Sequence, residues 1–181
     1  MLRVKWQTSR IKQIDISNCY HLNDTVLNQI VVTLAPQLTY LKCAFTDELM
    51  HDIITLHHHL PIKQLEFHRR HPLNMKLVEK FLSKCKHLEA LDTSLVSMEY
   101  ETFKNVLKSL PSLKWFNFAG NESLKTKDIF KLLSKECSMI GSIGINFYHS
   151  SCDHDLPVAI HKLIKHNRSC LLYTSPSPRD S

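Results

Sequence analysis

Apolar residues along this chain fall into a short strand-like cluster followed by a helix-like stretch, and the pair recurs. The cluster has the form LxxLxL and occurs at Ile11-Ile14-Ile16, Leu38-Leu41-Cys43, Ile62-Leu65-Phe67, Leu88-Leu91-Thr93, Leu113-Phe116-Phe118 and Ile140-Ile143-Ile145. Its starts at 11, 38, 62, 88, 113 and 140 are separated by 27, 24, 26, 25 and 27 residues. Within each cluster apolar and polar residues alternate, which is the pattern of a strand with one buried face.

After each cluster the period lengthens to that of an amphipathic helix. Val26, Leu27, Ile30 and Leu34 follow it in the first unit, Leu49, Ile53 and Leu56 in the second, and Leu77, Phe81 and Leu82 in the third. Phe103, Leu107 and Leu110, then Ile129, Leu132 and Leu133, then Ile160, Leu163 and Ile164 serve the last three. Pro36, Pro61 and Pro111 stand where a helix must stop before the next strand, with Cys85 and Cys137 at the corresponding joints. Asn23-Asp24-Thr25, Thr46-Asp47-Glu48 and Thr126-Lys127-Asp128 offer short polar side chains for orphan amides at helix starts.

Strand then helix, repeated every 24 to 27 residues, predicts an α/β leucine-rich-repeat solenoid of right-handed βα units. One unit cannot bury its apolar face alone, so neighbours stack, with a parallel sheet on the concave side and helices on the convex side. The expected organisation is a lead-in over 1–10, a repeat domain of about six units over 11–169 and a separate tail over 170–181.

The first unit, IKQIDISNCYHLNDTVLNQIVVTLAPQL, resembles the cysteine-containing repeat of the F-box/LRR family, with Cys19, Leu22, Asn23, Asp24, Leu27, Pro36 and Leu38 carrying the match. Cys85-Lys86-His87-Leu88 and Cys137-Ser138-Met139-Ile140 repeat its joint without the proline. The resemblance implies a substrate-recognition part of a cullin-type ubiquitin ligase. A target protein would lie on the concave face, and a Skp-type adaptor would be engaged through an F-box upstream of Met1. The alternative is an assembly or capping scaffold without an F-box.

The tail from Cys170 to Asp180 resembles one reading frame of a transposase-type sequencing adapter. It is expected to be an artefact of that origin, disordered and outside the fold.

Composition narrows the function classes. Lys and Arg outnumber acids 23 to 17 but form no long basic run, so a nucleic-acid footprint is weak. Six widely spaced cysteines without a CxxC pair read as reduced thiols, and neither a signal peptide nor an apolar span long enough for a membrane is evident. The expected location is cytoplasmic or nuclear. Only three glycines and no GxSxG elbow leave a phosphate-cradling loop or a serine nucleophile without support. No enzyme activity, metal or cofactor is expected.

Three clusters invite a metal or anion. His57-His58-His59 cannot converge on one ion from consecutive helical positions about 100° apart, and reads as a solvated helix end. His68-Arg69-Arg70-His71 is a basic loop, and His149, Cys152, Asp153, His154 and Asp155 form a polar loop matching no closed zinc spacing.

The binding expectation rests on alternation. The third and fifth positions of each LxxLxL point away from the core, giving Gln13 and Asp15, Tyr40 and Lys42, Gln64 and Glu66, Ala90 and Asp92, Trp115 and Asn117, Ser142 and Gly144. Of these, Asp15, Tyr40, Lys42, Gln64, Glu66, Asp92, Trp115 and Asn117 are the candidate contacts. Tyr40 and Trp115 have hot-spot composition. The acidic centre favours a basic or mixed protein segment and would repel nucleic-acid phosphates.

Overall fold

In the computed structural model, which describes residues 10–19, 21, 23–69, 72–94, 96–119, 126–137, 139–145, 156–166 and 171–174, strands and helices alternate from the first element to the last. The order is β1 (Gln13–Asp15), α1 (Asp24–Leu34), β2 (Tyr40–Phe45), α2 (Asp47–Leu56), β3 (Gln64–Arg69), α3 (Met75–Ser83) and β4 (Ala90–Asp92). It continues with α4 (Tyr100–Ser109), β5 (Trp115–Asn117), α5 (Thr126–Glu136), β6 (Ser142–Ile145), α6 (Leu156–His166) and β7 (Leu171–Thr174). The strands form one sheet in chain order, every neighbouring pair parallel.

This order decides how the sheet is covered. A sheet that never reverses its strand order, with crossovers of one hand, places every helix on the same face. The burial alternation agrees: in β2 Leu41, Cys43 and Phe45 are buried while Tyr40, Lys42 and Ala44 are half-exposed. A parallel sheet covered on both faces would bury both sets.

The covered face builds the core. Leu41, Leu65, Leu91, Phe116 and Ile143 occupy one register row and are each at most 1% exposed. Two phenylalanine triads tie strands to helices. Phe45 and Phe67 lie 4.5 Å apart with Phe81 of α3 5.4 Å from Phe45. Phe103 of α4 sits 5.5 Å from Phe116, which stacks on Phe118 at 5.4 Å. Thr93 stands where a buried aliphatic is expected, and its hydroxyl donates to the Asn117 carbonyl at 3.2 Å, so burial leaves no orphan.

The joints repeat as regularly as the strands. The carbonyls of Lys12, Thr39, Lys63, Glu89 and Lys114 each accept two successive amides of the next unit, at 2.7 to 3.1 Å. Proline leaves a gap in this scheme that the next unit fills. Pro36 has no amide for the Val32 carbonyl four residues back, and His57 Nε2 donates to that oxygen at 2.9 Å. The His57 carbonyl, just past the end of α2, accepts in turn from Lys84 Nζ at 2.9 Å.

Helix starts follow the polar triplets. Asn23 accepts from the Thr25 amide and Thr46 from the Leu49 amide, as expected, and Asn74 caps α3 in the same way without having been foreseen. Four expected core residues are corrected: Ile11, Val26, Leu56 and Ile164 are 37%, 45%, 63% and 43% exposed. Ile11 precedes β1, the first strand of the sheet. Val26 lies 100° around α1 from Leu27, Leu56 is the last residue of α2, where Met50 takes the inward place, and Leu163 is the buried member of the α6 pair.

The expectation of a disordered tail is corrected over Leu171–Thr174, which forms β7 against β6 in the register Ser142↔Leu171 to Ile145↔Thr174. An open strand edge presents unpaired amides and carbonyls, and a short run of β-prone residues satisfies them by backbone pairing.

Candidate functional site

The candidate contacts stand side by side on the face turned away from the helices. Parallel register aligns Gln13, Tyr40, Gln64, Ala90, Trp115 and Ser142 in one row. Asp15, Lys42, Glu66, Asp92, Asn117 and Gly144 form the row beside it. Asp15 and Gln64 are exposed and Tyr40, Lys42, Glu66, Asp92, Trp115 and Asn117 half-exposed, so all eight candidates share one accessible surface.

The two halves of that surface are wired differently. On β2 and β3, Glu66 is the hub: it accepts the Tyr40 hydroxyl at 3.1 Å and faces Lys42 Nζ at 3.0 Å. The hydrogen bond from Lys42 to Glu66 holds the amine above its usual range. Burial, and then the negative Glu66, push the Tyr40 phenol up. The pair remains about a third exposed on each side, so its contribution to stability is at most about 1 kcal/mol. Its larger effect is to fix where the Tyr40 ring sits.

On β4 and β5 the second-row side chains turn back on their own backbone. Asp92 Oδ1 accepts the Ser94 amide at 2.8 Å, and Asn117 Oδ1 accepts the Ala119 amide at 3.1 Å. Asp15 does the same with the Ser17 amide at 3.0 Å and adds the Ser17 hydroxyl at 2.7 Å. These two bonds, the hydroxyl first, hold the Asp15 carboxyl below its usual range. Such Asx turns end a strand. They explain why β1, β4 and β5 stop after three residues while β2 and β3, with Lys42 and Glu66 at that position, run for six.

Sequence reasoning named these residues as contacts and missed their turn-forming use; the signal is an Asx followed two residues later by a small residue, as in Asp15-Ile16-Ser17. It placed Gly144 on the open face and missed what the glycine does there. A Cβ there would stand 2.7 Å from Asn117 Oδ1, and Asn117 also donates from Nδ2 to Asp92 at 2.9 Å, so glycine is what lets this amide lie flat across two strands.

The acidic centre needs refinement. Glu66 is neutralised by Lys42, and Asp15 feels Lys42 and His68. Among the described residues Asp92 accepts from the neutral Ser94 amide and the Asn117 amide. Among the described residues no cation is paired with it. Trp115 stands in register with Ala90 on one side and Ser142 on the other, both small.

The remaining clusters do not converge on a site. His57 is corrected from a solvated helix end to a half-buried bridge onto α1, whereas His58 and His59 are exposed. Arg70, His71 and the His149 to Asp155 group lie outside the described residues. Among the described residues no three His, Cys, Asp or Glu side chains gather as for a metal ion, and no helix is long and apolar enough to cross a membrane. Cys19, Cys43, Cys85 and Cys137 form no disulfide, and burial pushes Cys43 up and Cys85 and Cys137 up to about 12. Thiols so displaced are poor nucleophiles at neutral pH.

Comparison of the chain with models of known protein families gives no match, and no curated protein matches it significantly.

Proposed function

We propose that this chain is a stretch of leucine-rich-repeat solenoid that binds another protein, with the sheet on its concave side, the helices on its convex side and the two registered side-chain rows as the docking surface. What supports the reading is the pairing of those rows: alternating positions of five or more consecutive units lie in register on the one sheet face left without helices. Large, half-exposed aromatics stand among small and polar neighbours there, which is the composition of an interface centre and a poor use of a merely solvated surface. A stack of like units also suits binding over catalysis, since it supplies breadth and regularity.

Within that reading the chain is the substrate-recognition part of an F-box/LRR adaptor, present in the cytoplasm or nucleus and acting in ubiquitin conjugation. The support is the first unit's Cys19, Asn23, Asp24 and Pro36 pattern. Asn23 and Asp24 are used there as helix cap and first helical residue, and Pro36 begins the joint that His57 completes. The second reading, an assembly scaffold with no F-box, rests on the same face and dispenses with the ligase.

Immunoprecipitation of the protein at its full natural length separates them. An adaptor brings down a Skp-type subunit and a cullin; a plain scaffold brings down a partner without either. Recovery of the cullin machinery only when the solenoid's target is absent would also speak against the adaptor role.

A further inference from the structure

We infer that the open sheet face carries a seat for a single arginine of a protein partner, floored by Ala90 and bounded by Trp115, Gln64 and Asp92. The inference rests on the reading of this face as a docking surface and adds which chemistry it selects.

The seat follows from register. Ala90 pairs with Gln64 on one side and with Trp115 on the other, and Asp92 is the next residue of β4 on the same face. A methyl group between an indole and a glutamine leaves a gap one side chain wide. From Trp115 to Asp92 is a diagonal cross-strand step, about 7 to 8 Å between such positions. That span fits a group that lies on the indole and touches the carboxylate at its edge.

Charge decides which group. Glu66 and Asp92 are directly opposed across β3 and β4. Lys42 answers Glu66, while among the described residues the donors to Asp92, the Ser94 amide and the Asn117 side-chain amide, are neutral. Two adjacent carboxylates with one amine leave a negative charge beside an aromatic face. A cation from outside relieves the repulsion and gains the attraction of the indole. An aliphatic side chain fills the gap but leaves Asp92 unanswered. A planar guanidinium stacks on the ring and forks to the carboxylate, which an ammonium does less well. The bonds from Ser94 and Asn117 hold the carboxylate in place beforehand, so little ordering remains to be done on binding.

The test uses the whole chain, labelled with ¹⁵N, and follows the Trp115 indole N–H resonance, identified by its loss in Trp115→Phe. The probe is the blocked pentapeptide Gly-Ser-Arg-Ser-Gly. Its control replaces arginine by citrulline, which keeps the shape and removes the charge. The arginine peptide is expected to shift the Trp115 signal saturably, and the citrulline peptide to bind at least tenfold more weakly. Asp92→Asn, which keeps the turn-forming oxygen, should bring the arginine peptide down to the citrulline level. Ala90→Leu should abolish the response while the resonances stay dispersed. Equal response to the two peptides, no response to the arginine peptide, or an undiminished response in Ala90→Leu each overturns the seat. A leucine-centred peptide that moves Trp115 where the arginine peptide does not would leave the face as a docking surface and remove only the cation. Peptides that move helix amides and never Trp115 would remove the docking face as well.

Discussion

The halves of the sheet built on β2 and β3 and on β4 and β5 have the same covered face and opposite behaviour on the open one. In the first, long side chains reach across strands: Tyr40 and Lys42 both reach Glu66, and the strands run on through six paired residues. In the second, short Asx side chains bond to their own backbone, the strands stop after three residues, and Trp115 stands between the small Ala90 and Ser142. A single position of the LxxLxL unit thus sets strand length and surface texture together. The core is indifferent to the choice, since Leu65 and Phe116 are equally buried.

That indifference predicts that core lesions act alike in both halves and that surface lesions do not. Phe81→Ala and Phe116→Ala each remove the ring that joins a helix or strand to its triad, and each should cost about 3 to 5 kcal/mol in denaturant unfolding. A loss below about 1 kcal/mol in one of them would mean that its triad is not structural.

The next effect belongs to the second half alone. Gly144→Ala pushes a methyl into Asn117 and should cost about 1 to 2 kcal/mol through the displaced hydrogen bonds. The same change made in an Asn117→Ala background should cost measurably less. Equal costs in the two backgrounds would show that Asn117 and Gly144 are not coupled.

Acid should reveal the turn at the end of β1. The folded-state pKa of Asp15 is depressed, so its stabilisation is present above the ordinary carboxylate value of 3.8 and disappears as pH falls below that toward the lowered value. Asp15→Asn keeps the acceptor and removes the titration, so melting curves of the variant should depend less on pH below about 4. Identical pH profiles would assign the acid sensitivity elsewhere. The smallest effect is expected in the first half: Glu66→Gln should change stability by less than about 1 kcal/mol, because both partners of the Lys42 pair are partly exposed.

The sequence made the architecture legible because two periodicities alternate in it, and the register rows followed from period-two alternation together with equal unit lengths. What escaped were residues with two competent uses. Asp15, Asp92 and Asn117 are polar at surface positions, which suits contact, and short with an acceptor, which suits a turn; only the geometry two residues on decides. His57 looked solvated because the carbonyl it answers is orphaned by Pro36, 21 positions earlier in the chain. The strand at Leu171–Thr174 was hidden by the unnatural look of its sequence, although a sheet edge selects for backbone pairing and β-propensity and is blind to origin.

The central claim, that the open sheet face is where this protein meets its partner, is tested most directly by measuring one partner's affinity for Trp115→Ala and for Lys80→Ala, whose lysine is exposed on α3. The account predicts a loss of at least about 1 kcal/mol for Trp115→Ala, roughly fivefold or more in Kd, with Lys80→Ala unchanged. Equal effects of the two substitutions, or a loss confined to Lys80→Ala, would contradict it.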